Sequence, residues 1–73
     1  MQNLTVALIL SDITSLLEIK GANRYKISAY KDASKKIKNL NEDINNLIEK
    51  DELTSLSGIG AGLAEKIKEI ALT

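Results

Sequence analysis

Residues 56–62 could bind an anion through the main chain rather than through charged side chains. They read Leu-Ser-Gly-Ile-Gly-Ala-Gly, and an amphipathic segment follows them directly. Gly58 and Gly60 would permit a sharp turn with positive φ. The first N–H groups of a helix have no intrahelical partner and lie at the positive end of its dipole. We therefore predict a phosphate site on the amides of residues 60–62, with an ordinary glycine-containing turn between helices as the alternative.

The amphipathic segment carries two lysines, Lys66 and Lys68. Lys66 lies about one helical turn beyond Gly62, so its ammonium group could reach a phosphate or a sugar. Two other roles stay open for it. Most lysines on amphipathic helices are solvated surface residues. A lysine amine that burial or nearby positive charge holds neutral can instead attack an aldehyde and form a Schiff base.

Tyr25 and Tyr30 are the only aromatic residues of the chain. A tyrosine ring can stack on a base or a sugar at the end of a nucleic-acid strand. Tyr30 shares helical spacing with Ile27, Ala33 and Ile37, so we expect its ring to pack inward and its hydroxyl to stay at the rim. For Tyr25 both roles stay open.

The composition excludes several other kinds of site. The chain has no cysteine and no histidine, which rules out disulfides, thiolate metal sites and Ser-His triads. The acidic pairs at 42–43 and 51–52 have neither EF-hand nor two-metal spacing. We therefore expect no catalytic metal and no required cofactor.

The length and hydropathy of the chain indicate a single domain. The 73 residues are 44% hydrophobic, which suffices for a packed core. No apolar run approaches the ~20 residues that span a bilayer, and no charged segment precedes an apolar one as in a signal peptide. We therefore expect a soluble cytoplasmic protein with no membrane partner.

The formal net charge is zero, but the charges are segregated along the chain. Six of the ten basic residues lie between 24 and 38, opposed there only by Asp32. Five of the ten acidic residues lie between 42 and 52, opposed there only by Lys50. Two interpretations stay open: a basic element that extends a nucleic-acid surface, or two solvated helix faces that attract each other.

The elements that position these residues are predicted to be helices. Proline and strand-like alternation are absent, and Ala, Leu, Lys and Glu are common. Three helices are expected over residues 4–20, 24–38 and 61–71. Gly21 suits the C′ position after the first of these helices, and Asn23 suits the N-cap of the second.

A further short helix is predicted between the second and the last. Asn41 is its expected N-cap, and Glu42 and Asp43 would lie in its first turn, where the helix dipole favours acidic residues. Leu53 should then be buried on one short helical turn within residues 51–57. The fold class is therefore all-α, a compact four-helix domain.

The expected core positions are apolar or small residues at spacings of three and four. In chain order they are Val6, Ile9, Leu10, Ile13, Leu16, Leu17, Ile27, Tyr30, Ala33, Ser34, Ile37, Ile44, Leu47, Ile48, Leu53, Leu56, Leu63, Ala64, Ile67 and Ile70. Leu56 and Ile59 have no chemical role of their own. We expect these two residues to pin the glycine turn against the core so that its glycines face solvent.

Four segments of the chain together resemble one family. They are Leu16-Leu17-Glu18-Ile19-Lys20-Gly21, Ile27-Ser28-Ala29-Tyr30-Lys31-Asp32-Ala33, Leu53-Thr54-Ser55-Leu56-Ser57-Gly58-Ile59-Gly60 and Ala64-Glu65-Lys66-Ile67. The glycine segment resembles the helix-hairpin-helix motif of DNA-binding proteins. In combination, over about residues 4–72, the chain resembles the N-terminal domain of family X DNA polymerases, of which DNA polymerase beta is the type member and which has bacterial members.

The resemblance implies a DNA-binding function. Residues 1–73 would form a single helix-hairpin-helix domain, the N-terminal part of a larger bacterial repair polymerase, and bind single-stranded, gapped or 5′-phosphorylated DNA without sequence preference. The residues expected to contact DNA, from the glycine pattern and the resemblance together, are Lys26, Tyr30, Gly58, Gly60, Ala61, Gly62, Lys66 and Lys68. The rest of the polymerase would be its other partner, and we expect a monomer associated with the nucleoid.

The resemblance also implies two further properties. By position, the carbonyl groups of Thr54, Leu56 and Ile59 would hold a monovalent cation, Na⁺ or K⁺, that bridges to a DNA phosphate. Lys66 aligns with the Schiff-base lysine of a deoxyribose-phosphate lyase, Lys26 with a lysine that binds the 5′-phosphate, and Tyr30 with a tyrosine of that pocket. Lys66 is therefore the candidate catalytic residue.

Three positions depart from the family pattern. Two phosphate-binding lysines of the family fall at Thr54 and Gly62 here, and the proline usual inside the hairpin is Ser57. Losing two cations should weaken capture of a 5′-phosphate. A DNA-binding module is therefore our main prediction, a lyase the second and a protein-interaction module the third.

Overall fold

The computed structural model describes residues 2–72, and over this range it is all-α, as predicted. The α-helices are α1 (Asn3–Ile19), α2 (Arg24–Lys38), α3 (Ile44–Glu49) and α4 (Ala61–Ala71), and a 3₁₀ turn at Leu53–Ser55 lies between α3 and α4. The predicted bounds of α2 and α4 are confirmed, and those of α1 are displaced by one residue at each end.

Residues at the junction of the two helices determine where α1 ends and where α2 begins. Gly21 has a φ of +71°, and its N–H donates to the carbonyl of Glu18 while the N–H of Ala22 donates to that of Leu17. This pair of bonds is a Schellman motif, which confirms the C′ role predicted for Gly21. The side chain of Asn23 accepts a 2.7 Å hydrogen bond from the N–H of Tyr25, which confirms the predicted N-cap of α2.

The predicted start of α3 is wrong. The helix begins at Ile44, and Asp43 rather than Asn41 is its N-cap, accepting from the N–H of Asn45 at 2.9 Å. Glu42 and Asp43 therefore precede the helix instead of lying in its first turn.

The side chain of Asn3 in α1 explains why α3 begins at Ile44 and not earlier. Its Nδ2 donates to the carbonyl of Glu42 at 2.7 Å, and its Oδ1 accepts from the N–H of Ile44 at 2.8 Å. These two bonds clamp the chain on both sides of Asp43 outside the helix, and they place Ile44 in the core. Asn3 and Ile44 are 41 positions apart in sequence. A prediction of the N-cap from neighbouring residues alone could not include this contact.

The end of α3 stores backbone strain. Asp51 has a φ of +56°, and the N–H of Glu52 donates to the carbonyl of Leu47 at 2.8 Å, which closes a second Schellman motif. Left-handed backbone costs an ordinary L-residue about 1–2 kcal/mol, and aspartate tolerates it better than most. The tight reversal brings Asp51 to the side of α4, where it meets Lys68.

The core takes residues from every helix. Its fully buried large side chains are Val6, Leu10, Ile37, Ile44 and Ile67. Leu53 and Ile59 add buried contacts from the segment between α3 and α4, and Leu56 packs against the cluster. Among residues 2–72, no helix is both long enough and apolar enough to span a membrane.

The face that α1 turns to the core differs in part from the predicted stripe. Val6 and Leu10 are buried as expected, but Leu16 is 56% exposed, whereas Ala7 and Thr14 are buried. The hydroxyl of Ser34 on α2 donates to the carbonyl of Ala7 at 2.7 Å, so the two helices approach closely at this small residue. The close approach rotates the interface toward Ala7 and leaves Leu16 in solvent.

We expect Asn3→Ala to destabilise the protein by about 1–3 kcal/mol, because it removes two hydrogen bonds that hold the start of α3 and leaves their backbone partners unpaired. Urea unfolding measures the change. Asn41→Ala is the matched control, since Asp43 rather than Asn41 is the cap, and it should change stability by less than about 0.5 kcal/mol. A larger loss for Asn41→Ala than for Asn3→Ala would contradict the cap assignment.

Candidate nucleic-acid interface

The predicted glycine turn is present, with one correction. The N–H of Ile59 donates to the carbonyl of Leu56 at 3.1 Å, and Gly58 has a φ of +85°, so residues 56–59 form a β-turn with glycine at its third position. Gly60 has an extended backbone, with φ −86° and ψ 178°, so the positive φ predicted for it is wrong. A turn of this kind needs one left-handed residue, and Gly58 supplies it.

Apolar side chains hold this turn against the core. Ile59 is 4% exposed, and Leu56 packs on the core cluster from the other end of the turn. Gly58 and Gly60 are exposed. The prediction that Leu56 and Ile59 pin the turn and leave its glycines in solvent is confirmed.

The backbone directly after the turn offers hydrogen-bond donors to solvent. Gly60 is the N-cap of α4 and has no side chain to cap it, and the N–H of Ala64 makes the first bond of the helix, to the carbonyl of Gly60 at 2.9 Å. Within residues 2–72, the N–H groups of Gly60, Ala61 and Gly62 have no acceptor. All three residues are exposed. Three adjacent donors therefore lie at the positive end of the α4 dipole.

The structure separates the two predicted lysines of α4. Two residues apart in a helix, Lys66 and Lys68 lie about 200° apart around its axis. The Nζ of Lys66 lies 3.3 Å from the carboxylate of Glu69, one turn further along. Its side chain is 46% exposed. Lys66 can still swing toward a phosphate, because an exposed ion pair of this kind contributes little to stability.

Lys68 faces acidic groups on the other side of α4. Its Nζ lies 3.8 Å from Glu65 and 4.0 Å from Asp51. These three side chains line a cavity of ≈ 250 Å³ between the end of α3, the 3₁₀ turn and α4. Two carboxylates at this cavity would repel a phosphate. Of the two lysines, Lys66 is therefore better placed for an anion.

The basic residues of α2 remain available. Lys26 is exposed one turn before Tyr30, and Tyr30 packs partly against the core, as expected for its ring. Tyr25 is 84% exposed. None of the six cations between residues 24 and 38 forms an ion pair with another described residue. The acidic segment at 42–52 pairs with Lys50 and Lys68 instead, so mutual attraction between α2 and this segment does not neutralise α2.

Lys36 lies near the turn and is not among the site residues predicted from the sequence. A methyl group built on Gly58 would lie 3.8 Å from Cε of Lys36, so this side chain of α2 runs alongside the turn. The sequence carries a signal for it. Lys31, Lys35 and Lys38 share one face of α2, whereas Lys36 lies three residues after the buried Ala33 and belongs to a different face.

The carbonyl groups predicted to hold a monovalent cation lie around the turn. The carbonyl of Leu56 accepts the N–H of Ile59, and those of Thr54 and Ile59 accept no hydrogen bond from residues 2–72. Neutral carbonyl oxygens are suitable ligands for Na⁺ or K⁺. In the same range, no group of three or more acidic side chains could hold a metal ion. The Na⁺ or K⁺ site at these carbonyl groups stays a prediction.

Comparisons with known proteins agree with this geometry. A family model described as a helix-hairpin-helix domain matches residues 1–73. The chain is 41% identical over 61 residues to the DNA polymerase/3′-5′ exonuclease PolX of Bacillus subtilis (strain 168). The match covers 84% of this chain and 10% of the relative, so the chain spans about a tenth of that protein. No solved structure matches.

We expect Gly58→Ala to destabilise the fold by about 1–2 kcal/mol, because the left-handed backbone at this position strains any residue with a Cβ. Gly62→Ala is the matched control. Gly62 is helical and has open space around it, so alanine should be neutral or stabilising by up to about 1 kcal/mol. Thermal unfolding of both variants measures the difference, and equal effects would contradict the assigned turn.

Proposed function

Because this chain belongs to the helix-hairpin-helix domains of the family X DNA polymerases, we propose that it binds DNA through phosphate groups, without sequence preference. The observation that carries the proposal is the set of three exposed N–H groups at residues 60–62, which have no acceptor within the described range. Phosphate oxygens are their natural ligands, since main-chain amides at a helix N-terminus bind anions. Contacts of this kind position a strand and carry no base information.

The preferred ligand in this proposal is single-stranded, gapped or 5′-phosphorylated DNA. Three adjacent amides match one or two phosphates rather than a long tract of duplex. A strand end or a gap presents such phosphates without a second strand directly opposite. Lys26 on α2, which forms no ion pair with a described residue, would add attraction that falls with salt.

Two further parts of the proposal concern the ligands and partners of the domain. The carbonyl groups of Thr54, Leu56 and Ile59 would hold Na⁺ or K⁺ at the turn, where the ion would add positive charge beside a phosphate. The domain would act as one DNA-binding part of a longer bacterial repair polymerase. The likeness to a longer polymerase, of which the matched segment covers 10%, supports this role.

A second candidate function is protein interaction, and one observation favours it. Four large apolar side chains of α1 are exposed: Leu4, Leu8, Leu16 and Ile19. Apolar surface of this kind is used for protein contacts more often than for phosphate contacts. In this alternative DNA would leave the amides of residues 58–68 unchanged.

An NMR titration with gapped duplex DNA that carries a 5′-phosphate tests the proposal. We expect the amide signals of residues 58–62 and of Lys66 to shift, and affinity to fall as salt rises. The amides of α1 serve as the internal reference. Unchanged signals at residues 58–68 under low salt would exclude the hairpin as the DNA site.

Gly62→Glu sharpens this test. An acidic residue in the first turn of a helix should leave α4 as stable or more stable, yet its charge would repel a phosphate on the neighbouring amides. We expect fluorescence anisotropy to show at least tenfold weaker DNA binding. Gly62→Gln adds similar bulk without charge and should bind more tightly than Gly62→Glu. Equal binding by wild type and Gly62→Glu would contradict the phosphate site.

The lyase alternative makes a separate prediction. A Schiff-base lysine of this kind acts on a sugar that is held by its 5′-phosphate, and the two phosphate-binding lysines of the family pattern are Thr54 and Gly62 in this chain. We therefore expect borohydride to trap little or no covalent adduct on DNA that carries a 5′-deoxyribose phosphate. An efficient adduct that disappears in Lys66→Ala would establish the lyase instead.

A further inference from the structure

The hairpin site lacks a cation of its own. Residues 53–64 contain no charged side chain, so the turn and the first amides of α4 offer only neutral donors. Lys66 and Lys68, the next cations along the chain, are both engaged with carboxylates. A phosphate bound at residues 60–62 would therefore have to draw Lys66 or Lys68 away from a carboxylate to meet a cation of the same segment.

A cation reaches the hairpin in space from α2. The Cε of Lys36 lies 3.8 Å from the position of a Cβ on Gly58, which places the ammonium group next to the turn. Lys36 is half-buried and forms no ion pair with a described residue. Its stem can cover the exposed glycine while its charged head stays in water.

The packing of α2 fixes this position. Ala29, Ala33 and Lys36 lie at i, i+4 and i+7, on one face of the helix. Ala33 is 2% exposed in the core. The same face that buries Ala33 therefore carries Lys36 to the edge of the core, where the turn lies. Lys38, two residues further, is exposed on a different face.

We infer that Lys36 is a phosphate-binding residue and forms one site with the amides of residues 60–62. This inference rests on the proposed function and names a residue that the family match does not assign. The turn supplies oriented neutral donors, and Lys36 supplies the positive charge. Hydrogen bonds from charged donors to phosphate are stronger than those from neutral donors. The ligand is a phosphate of a DNA strand, bound between two elements far apart in sequence.

The test compares variants that separate the charge from the packing of the stem. Lys36→Met keeps an unbranched apolar stem over Gly58 and removes the charge, and Lys36→Arg keeps both. Lys38→Met removes the same charge from the exposed face of the same helix. Binding to 5′-phosphorylated gapped duplex is measured by fluorescence anisotropy across a salt series, and urea unfolding checks that each variant is folded.

We expect Lys36→Met to bind about tenfold more weakly than wild type, as the loss of one charged phosphate contact predicts. The slope of log affinity against log salt should become shallower by about 0.7–0.9. Lys36→Arg should stay within about threefold of wild type, and Lys38→Met within about twofold. A change of slope reports a lost phosphate contact, which a purely structural role of the stem would not produce.

The outcomes separate this inference from the proposed function. In the first outcome, wild type binds the DNA and its amide signals at residues 60–62 shift, but Lys36→Met retains the affinity and salt slope of wild type. Lys36 is then not part of the site, and the inference fails while the proposed function stands. Equal losses for Lys36→Met and Lys38→Met would also overturn it, as a general effect of charge. If wild type does not bind the DNA at low salt, the proposed function fails, and the inference fails with it.

Discussion

The burial of Ile59 is the constraint on which the candidate site depends. Its side chain lies in the core while Gly58, directly before it, turns the chain with left-handed backbone. With Ile59 fixed inside, the chain leaves the core at Gly60 and starts α4 with its first N–H groups in solvent. Core packing therefore orients the donors, and glycine only permits the turn. Helix N-termini are common in proteins, and this one is available because nothing in the described chain caps it.

The distribution of ion pairs explains how a chain with zero net charge can keep a positive surface. The described ion pairs involve Lys50, Lys66 and Lys68, whose partners lie near α3 or on α4 itself. The cations of α2 form no ion pair with another described residue, and one of them, Lys36, lies beside the turn. Electrostatic attraction over about a Debye length depends on these local charges and not on the sum over the chain.

Sequence patterns predicted the fold well wherever the deciding interaction is local. The bounds of α2 and α4, the cap at Asn23 and the end of α1 at Gly21 all depend on neighbours within one or two turns. The wrong predictions concern positions that are decided by contacts between distant parts of the chain. Asp43 rather than Asn41 is the N-cap of α3, because Asn3 holds that segment through hydrogen bonds from α1. Leu16 is exposed rather than buried, because α1 contacts α2 at a small residue.

The sequence by itself determined the helical class, a glycine turn at residues 58–60 and the exclusion of histidine and cysteine chemistry. These follow from residue types and from spacing along one helix, which act within a few residues. Tertiary structure decided which lysines are free and which one lies beside the turn. Lys66 and Lys68 meet carboxylates, whereas Lys36 runs along Gly58. The relative rotation of packed helices sets such neighbours, and that rotation is fixed by how the whole core fits together.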